Sequence, residues 1–146
     1  MRGNAVARKL GGRKTLGRDV NSDNELIALV REGLPAEALD HILAELAEGE
    51  IPQASVYRLI GSGRTLQRKR SHDLRLSTLE SDRLARLARM LVRTEEVFGD
   101  AERSRSWLVE PNRALGGQAP LDLLDSDTGT VAVDRILIRI DHGVFS

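Results

Sequence analysis

Few side chains in this sequence of 146 residues have the type and spacing that catalysis or metal binding requires. The three histidines, His41, His72 and His142, lie far apart along the chain, and there is no cysteine. Disulfides, thiolate metal sites and thiol nucleophiles are therefore excluded. No nucleophile-and-base pattern and no pair of carboxylates accompanies the histidines. We therefore predict that the chain is not an enzyme and that it carries no cofactor and no metal.

The segment SGRTLQRKR, residues 62–70, is the clearest candidate for molecular recognition. Arginine can bind guanine through two parallel hydrogen bonds, and glutamine can bind adenine in the same way. Together with the preceding PQASVYRLI, the segment predicts a helix-turn-helix with a cationic second helix. The predicted DNA contacts are Ser62, Arg64, Thr65, Gln67 and Arg68 to bases and backbone, and Lys69 and Arg70 to phosphate. The alternative is a charged helix face that only keeps the protein in water.

A second unusual stretch, PNRALGGQAPLDLLDSDTG, combines two adjacent glycines with three aspartates. A phosphate loop is not indicated, because the glycines follow a helical segment and precede a proline in an acidic region. A calcium loop is excluded because the twelfth residue counted from Asp125 is Ile136, which offers no carboxylate. We therefore interpret the stretch as rigid packing, in which Asn112 caps a turn and Asp125, Ser126 or Asp127 caps the last helix.

Charge is strongly segregated along the chain, although the formal net charge is zero. Residues 1–18 contain six basic side chains and no acid, and residues 19–51 contain one basic side chain against nine acids. Residues 52–93 contain ten basic side chains against three acids, and residues 94–146 contain five against ten. The third block is thus a candidate nucleic-acid surface and the acidic last block is not, which predicts two functions on one chain.

Hydrophobic spacing predicts that helices position these segments. Aromatic residues make up only 3% of the chain and hydrophobic residues 40%, so the core must consist mainly of Leu, Ile, Val and Ala. Helices are predicted in NELIALVREG, PAEALDHILAELAEG, PQASVYRLI, DAERSRSWLVE and TLESDRLARLARMLVRTEEVF, the last opened by a capping box of Ser77 and Glu80. The segment TVAVDRILIRI is rich in β-branched residues, but its apolar positions fit a helix better than a strand. The predicted fold class is therefore all-α.

Three regions follow from these patterns. Residues 1–23 lack a sustained period and predict a flexible basic arm, which either touches phosphates or only solubilises the chain. Residues 24–93 form the predicted helical DNA-binding and dimerisation region, and residues 94–146 form a small C-terminal helical domain. No apolar run approaches the roughly 20 residues that span a bilayer, and the N-terminus lacks the apolar segment of a secretory signal. We therefore expect a cytoplasmic protein.

Two groups of segments resemble the Xre/MbcA/ParS antitoxin family, from about residue 10 onwards. The segments LGGRKTLGRDVNSDNELIALVREGLPAEALDHIL, GRTLQRKR and LSTLESDRLARLARML resemble the N-terminal, Xre-like helix-turn-helix part. The segment TEEVFGDAERSRSWLVEPNRALGGQAPLDLLDSDTGTVAVDRILIRIDHGVFS resembles the C-terminal toxin-binding domain. The departures from the family pattern lie mainly around Ile60, Gly61 and Gly63.

The resemblance implies an antitoxin that binds and neutralises a cognate toxin with a RES domain. Such a toxin consumes NAD, so NAD would be the substrate of the toxin and not a cofactor of this chain. The C-terminal region is expected to cover the active site of the toxin and to exclude its substrate. The predicted toxin contacts are Arg139, Asp141, His142, Gly143, Val144, Phe145 and Ser146. The alternative for Val144 and Phe145 is that they fold back onto their own helices.

The resemblance also implies that the antitoxin represses its own operon by binding operator DNA. Two recognition helices related by a twofold axis suit a palindromic operator whose half-sites are roughly 34 Å apart, which predicts a homodimer. The alternative function is a stand-alone helix-turn-helix transcriptional regulator with no toxin partner.

Overall fold

The computed structural model describes residues 2–143, and for Arg2 only the backbone. The chain divides into two compact units, Met1–Val92 and Arg93–Ser146. Every regular element among the described residues is an α-helix or a short 3-10 helix, which confirms the all-α class. None of the helices between residues 2 and 143 has the length and apolar character needed to cross a membrane.

The first unit is built from six short helices and most of a seventh, long one. These are α1 (Arg2–Lys9), α2 (Gly12–Leu16), α3 (Asp23–Glu32), α4 (Glu37–Ala47), α5 (Gln53–Ile60), α6 (Gly63–Ser71) and α7 (Thr78–Phe98). Leucines and isoleucines at helical spacing form its core, and those without any exposed surface include Leu39, Ile42, Leu46, Leu66 and Leu84. Burying each such side chain stabilises the fold by about 1.5–3 kcal/mol.

The N-terminal region differs from the predicted flexible arm. Two short helices, α1 and α2, occupy most of it, and Val6, Leu10 and Leu16 are buried in the first unit. The backbone of α1 lies so close to α3 that a Cβ on Gly3 would be 2.8 Å from the carbonyl carbon of Ser22. The prediction failed because helices of eight and five residues are too short to be stable alone and gain their stability from such packing, which the local sequence does not reveal.

The start of α7 follows the predicted capping box. The backbone nitrogen of Glu80 donates to Ser77 Oγ at 3.0 Å, and the backbone nitrogen of Ser77 donates to Glu80 Oε1 at 2.8 Å. These two bonds satisfy donors that the first turn of a helix otherwise leaves unpaired. The capping box is therefore confirmed, and it fixes the end of α7 that faces the cationic helix α6.

The second unit contains the end of α7, α8 (Ala101–Val109), two 3-10 helices (Arg113–Leu115 and Pro120–Leu123) and α9 (Asp127–Asp141). The last segment is thus a helix, as its apolar spacing predicted, with Val133 and Leu137 fully buried. Gly129, in the first turn of α9, lies so close to the second 3-10 helix that a Cβ would be 2.0 Å from the Leu123 carbonyl oxygen.

The glycine-aspartate stretch forms the predicted caps and turns. Asn112 Oδ1 accepts from the backbone nitrogen of Ala114, and Ser126 Oγ accepts from the backbone nitrogen of Gly129, each at 3.0 Å. The two adjacent glycines have φ angles of 68° and 86°, which L-residues with a side chain rarely adopt. Ser126 is therefore the cap of α9, and the turns before it depend on glycine.

Candidate functional site

Helices α5 and α6 form the predicted helix-turn-helix pair, and α6 exposes one charged face. Leu66 is fully buried and anchors α6 to the core. Arg64, Gln67 and Arg68 are exposed, and their spacing of three and four residues places them on the side opposite Leu66. The structure therefore brings three of the predicted contacts to DNA bases and backbone together on one accessible surface, which we call the α6 face.

The other two predicted base and backbone contacts lie at the start of α6. Ser62 occupies the residue before the helix and is exposed, while Thr65 is half-buried. Within the described part of the chain, the Ser62 side chain makes no capping hydrogen bond. Its hydroxyl and the first backbone nitrogens of α6 are groups of the kind that hold a phosphate at a helix N-terminus.

Lys69 is engaged inside the first unit, although the sequence predicted a phosphate contact. Its Nζ lies 2.6 Å from Glu80 Oε1, and the two side chains are only 15% and 12% exposed. Burial raises the pKa of Glu80, but hydrogen bonds from Lys69 and Ser77 outweigh it, so this pKa lies below its usual value. Lys69 therefore ties α6 to the capped start of α7.

Arg70 is also engaged inside the first unit. Its Nε donates to the carboxylate of Asp40 on α4, and its Nη1 lies 2.5 Å from the Tyr57 hydroxyl on α5. The guanidinium carbon is 6.0 Å from the centroid of the Tyr57 ring. Burial lowers the pKa of Arg70, but the hydrogen bonds to Asp40 and Tyr57 more than compensate and raise it. Arg70 therefore links α6 to α4 and α5.

Tyr57 is a residue of this site that the sequence analysis did not identify. It is buried, with 8% of its surface exposed, and its hydroxyl lies 3.0 Å from Gln67 Oε1. The signal in the sequence was a single tyrosine on the first helix of the pair, ten residues before the glutamine. Only the approach of α5 to α6 shows that it contacts a residue of the α6 face.

The predicted toxin contacts in the described residues lie at the end of α9. Arg139, His142 and Gly143 are exposed. Asp141 is also exposed, and its carboxylate lies 4.0 Å from Arg93 Nη1 at the end of α7. Val144, Phe145 and Ser146 lie outside the described residues.

A further exposed surface runs along α9 and was missed from the sequence. Val131 and Ile138 are 49% and 41% exposed, and with the exposed Arg135 and His142 they follow a spacing of four, three and four residues. We call these four residues the α9 stripe. It faces away from the buried Val133 and Leu137, because residues two apart on a helix point in nearly opposite directions. The helical spacing could have predicted the stripe once α9 was recognised as a surface helix.

A groove with an apolar floor lies between α1, α3 and α7 in the first unit, with a volume of about 940 Å³. Two large side chains beside it are exposed, Ile27 by 48% and Leu79 by 57%. Its apolar lining consists of Val6, Leu26, Ile27, Val30, Leu79 and Ala85. Among residues 2–143, no group of three or more histidine, aspartate or glutamate side chains is arranged to hold a metal ion.

Two family models match the chain in the same order as its two units. Residues 25–89 match the antitoxin Xre-like helix-turn-helix domain, and residues 93–143 match the antitoxin Xre/MbcA/ParS C-terminal toxin-binding domain. The first match contains the α6 face, and the second contains the α9 stripe.

Known proteins show similarity over most of the chain. The antitoxin Xre of Yersinia enterocolitica is 31% identical over 137 residues, which cover 91% of this chain and 89% of that protein. The antitoxin Xre of Photorhabdus laumondii is 29% identical, with the same coverage. A Sphingobium protein named Prs ADP-ribosylating antitoxin is 30% identical over 82% of this chain and 80% of its own length. The chain therefore belongs to the Xre/MbcA/ParS antitoxin family and joins an Xre-like helix-turn-helix domain to a C-terminal toxin-binding domain.

Proposed function

We propose that this antitoxin neutralises a cognate RES-domain toxin, which consumes NAD, and represses its own operon in the bacterial cytoplasm. The antitoxin itself acts by binding and performs no chemistry. The observation that carries this proposal is the separation of two exposed surfaces, the cationic α6 face in one unit and the α9 stripe in the other. The similarity to a protein named for ADP-ribosylation supports a toxin that uses NAD, since NAD is the donor of ADP-ribosyl groups.

The toxin contact includes the α9 stripe as well as the predicted C-terminal residues. Val131 and Ile138 expose aliphatic surface on either side of Arg135, and arginine is enriched at the centre of protein interfaces. Arg139 and His142 extend this surface towards Gly143. Residues 139–146 then cover the active site of the toxin and exclude NAD.

Deleting residues 139–146 tests the toxin part of the proposal. The shortened antitoxin should bind its promoter normally and lose protection of cells that express the neighbouring toxin gene, with a fall in cellular NAD. The converse control replaces Arg64, Gln67 and Arg68 together by alanine. This variant should lose promoter binding and still neutralise the toxin. Full protection by the shortened protein would contradict the covering role of the C-terminal region.

We further propose that the groove between α1, α3 and α7 is the contact between two copies of this chain. On α3, the exposed Asp23 and Arg31 lie four residues before and after Ile27. A twofold axis at Ile27 would therefore place each aspartate opposite the arginine of the other copy. On α7, Asp82 and Arg89 line the same groove and repeat this order of charges. A surface that is complementary to itself in this way suits a symmetric dimer.

The mass of the protein in solution tests the dimer contact. Ile27→Glu should place two carboxylates at the twofold axis, one from each copy, and convert a dimer to a monomer in light scattering. Leu74→Glu is the matched control, because Leu74 is 39% exposed and is not part of the groove lining. If Ile27→Glu remains a dimer and Leu74→Glu becomes a monomer, the contact lies outside this groove.

A further inference from the structure

The hydroxyl of Tyr57 lies between a cation and an amide of the cationic helix. Arg70 Nη1 is 2.5 Å from this hydroxyl, and Gln67 Oε1 is 3.0 Å from it on the other side. Arg70 is held in turn by Asp40 through its Nε and by Gln53 Oε1, which is 3.3 Å from Nη1. A chain of hydrogen bonds therefore runs from α4 through α5 to the exposed face of α6.

The chemistry of these groups fixes which group donates and which accepts in each of these hydrogen bonds. A guanidinium can only donate, so the Tyr57 oxygen accepts from Arg70. The single proton of the tyrosine hydroxyl is then directed to the group it reaches at 3.0 Å, which is Gln67. An amide accepts only through its oxygen. Gln67 is therefore held with Oε1 towards Tyr57, and a flip of the amide would set its NH₂ group against the tyrosine proton.

Burial makes this arrangement stiff. Tyr57 is 8% exposed, and the side chain of Arg70 is 23% exposed, so water competes weakly for their hydrogen bonds. Gln67 itself is exposed on the α6 face beside Arg64 and Arg68. The chain of hydrogen bonds thus has a buried centre at Tyr57 and an accessible end at Gln67 that carries a polar group able to read a base.

We propose that Tyr57 and Arg70 are positioning residues that orient the Gln67 amide for reading adenine in the major groove. This inference rests on the proposed DNA-binding function. In the fixed orientation, Gln67 presents its NH₂ group and the second lone pair of Oε1. Adenine presents the complementary pair, the N7 acceptor and the N6 donor.

Fixing one of the two amide orientations before binding removes an ordering step from recognition. A glutamine that binds adenine through two bonds discriminates against other bases by about 5-fold to 150-fold. Releasing the amide while keeping the glutamine should remove part of this discrimination, about twofold to tenfold. The same change should not alter the number of phosphate contacts, because Tyr57 and Arg70 contribute none.

The experiment uses the full chain, its own promoter DNA and single-base-pair variants of that DNA. Gln67→Ala first identifies the A·T pair at which discrimination is lost. Tyr57→Phe, which keeps the packed ring, should then lose about twofold to tenfold discrimination at the same pair. Arg70→Met should lose it too, and the double variant should lose no more than either alone, since both act through one hydrogen bond. Arg64→Ala is the control, because it should weaken binding to all sequences and lower the salt dependence.

Each outcome separates this inference from the proposed function. If the wild type binds its promoter no more tightly than unrelated DNA, the DNA-binding function fails and the inference fails with it. If the wild type is specific and Tyr57→Phe discriminates equally well, the inference alone fails. A lower salt dependence for Arg70→Met, equal to that of Arg64→Ala, would show that Arg70 contacts phosphate and would also overturn it. Side-chain NMR of the free protein adds a direct measure, since Tyr57→Phe should increase the mobility of the Gln67 amide.

Discussion

Replacing Arg68 by alanine should reduce the salt dependence of operator binding, whereas replacing Lys69 by methionine should leave it unchanged. The two residues are neighbours on α6 and have the same charge. Arg68 is exposed on the α6 face, and Lys69 is covered and lies 2.6 Å from Glu80. Only a cation that meets the DNA backbone releases a counterion when the complex forms.

The expected magnitude follows from the number of contacts. One phosphate contact contributes about 0.9 to the slope of log affinity against log salt, so the two copies of Arg68 in the proposed dimer should contribute about 1.8. Between about 50 and 200 mM salt, the wild type should therefore lose about twelvefold more affinity than Arg68→Ala. The slope for Lys69→Met should equal that of the wild type.

Fluorescence anisotropy of a labelled operator fragment over a series of salt concentrations measures both slopes. Lys69→Met leaves the Glu80 carboxylate without its cation at 12% exposure, so we expect a loss of stability of about 1–3 kcal/mol. Urea unfolding must therefore show that this variant is folded under the binding conditions. Equal reductions in slope for both variants would mean that Lys69 leaves Glu80 to reach DNA, and the reasoning from intramolecular pairing would be refuted.

Three further predictions concern stability and the toxin contact. Because the pKa of Glu80 is lowered, its stabilising contribution is present above the ordinary value of 4.5 and is lost as the pH falls through the lower folded value. Glu80→Gln should therefore be less stable than the wild type in urea unfolding at neutral pH, and a difference that does not narrow below pH 4.5 would contradict this. Ile138→Asp should weaken toxin binding at least about tenfold in calorimetry without lowering the thermal midpoint, whereas Val109→Asp, at a position on α8 that is also exposed, should bind normally. Gly129→Ala should destabilise the second unit by about 2 kcal/mol in thermal unfolding, because the added Cβ would clash with the Leu123 carbonyl oxygen. An unchanged thermal midpoint would show that the backbone at Leu123 moves aside without cost.

Local patterns predicted most of the helices and several of their ends. The capping box of Ser77 and Glu80, the cap on α9 and the helical state of the last segment all depend on residues within a few positions of one another. Helical spacing also accounts for the exposure of Arg64 and Gln67, because neither lies on the side of α6 that carries the buried Leu66. Interactions of this range are set by the backbone geometry of the helix itself, so the sequence contains them directly.

Local sequence patterns did not predict the folded N-terminal region or the α9 stripe. Helix α2 has five residues, which is too short to be stable alone, and Leu16 is buried only because other helices surround it. Along α9, periodicity separates two faces, but the sequence alone did not show that Val131 and Ile138 remain exposed. Which apolar side chains are covered depends on where the neighbouring elements lie.

The sequence by itself determined an all-α chain with a cationic second helix in its helix-turn-helix, an acidic C-terminal region and the motifs of an antitoxin family. Only the tertiary structure decided which cations of that helix are engaged inside the unit. Lys69 and Arg70 resemble Arg64 and Arg68 in the sequence, but their partners, Glu80 and Asp40, lie 11 and 30 residues away along the chain. A charge is free or paired according to what the fold brings within about 4 Å of it, and spacing along one helix cannot encode that distance.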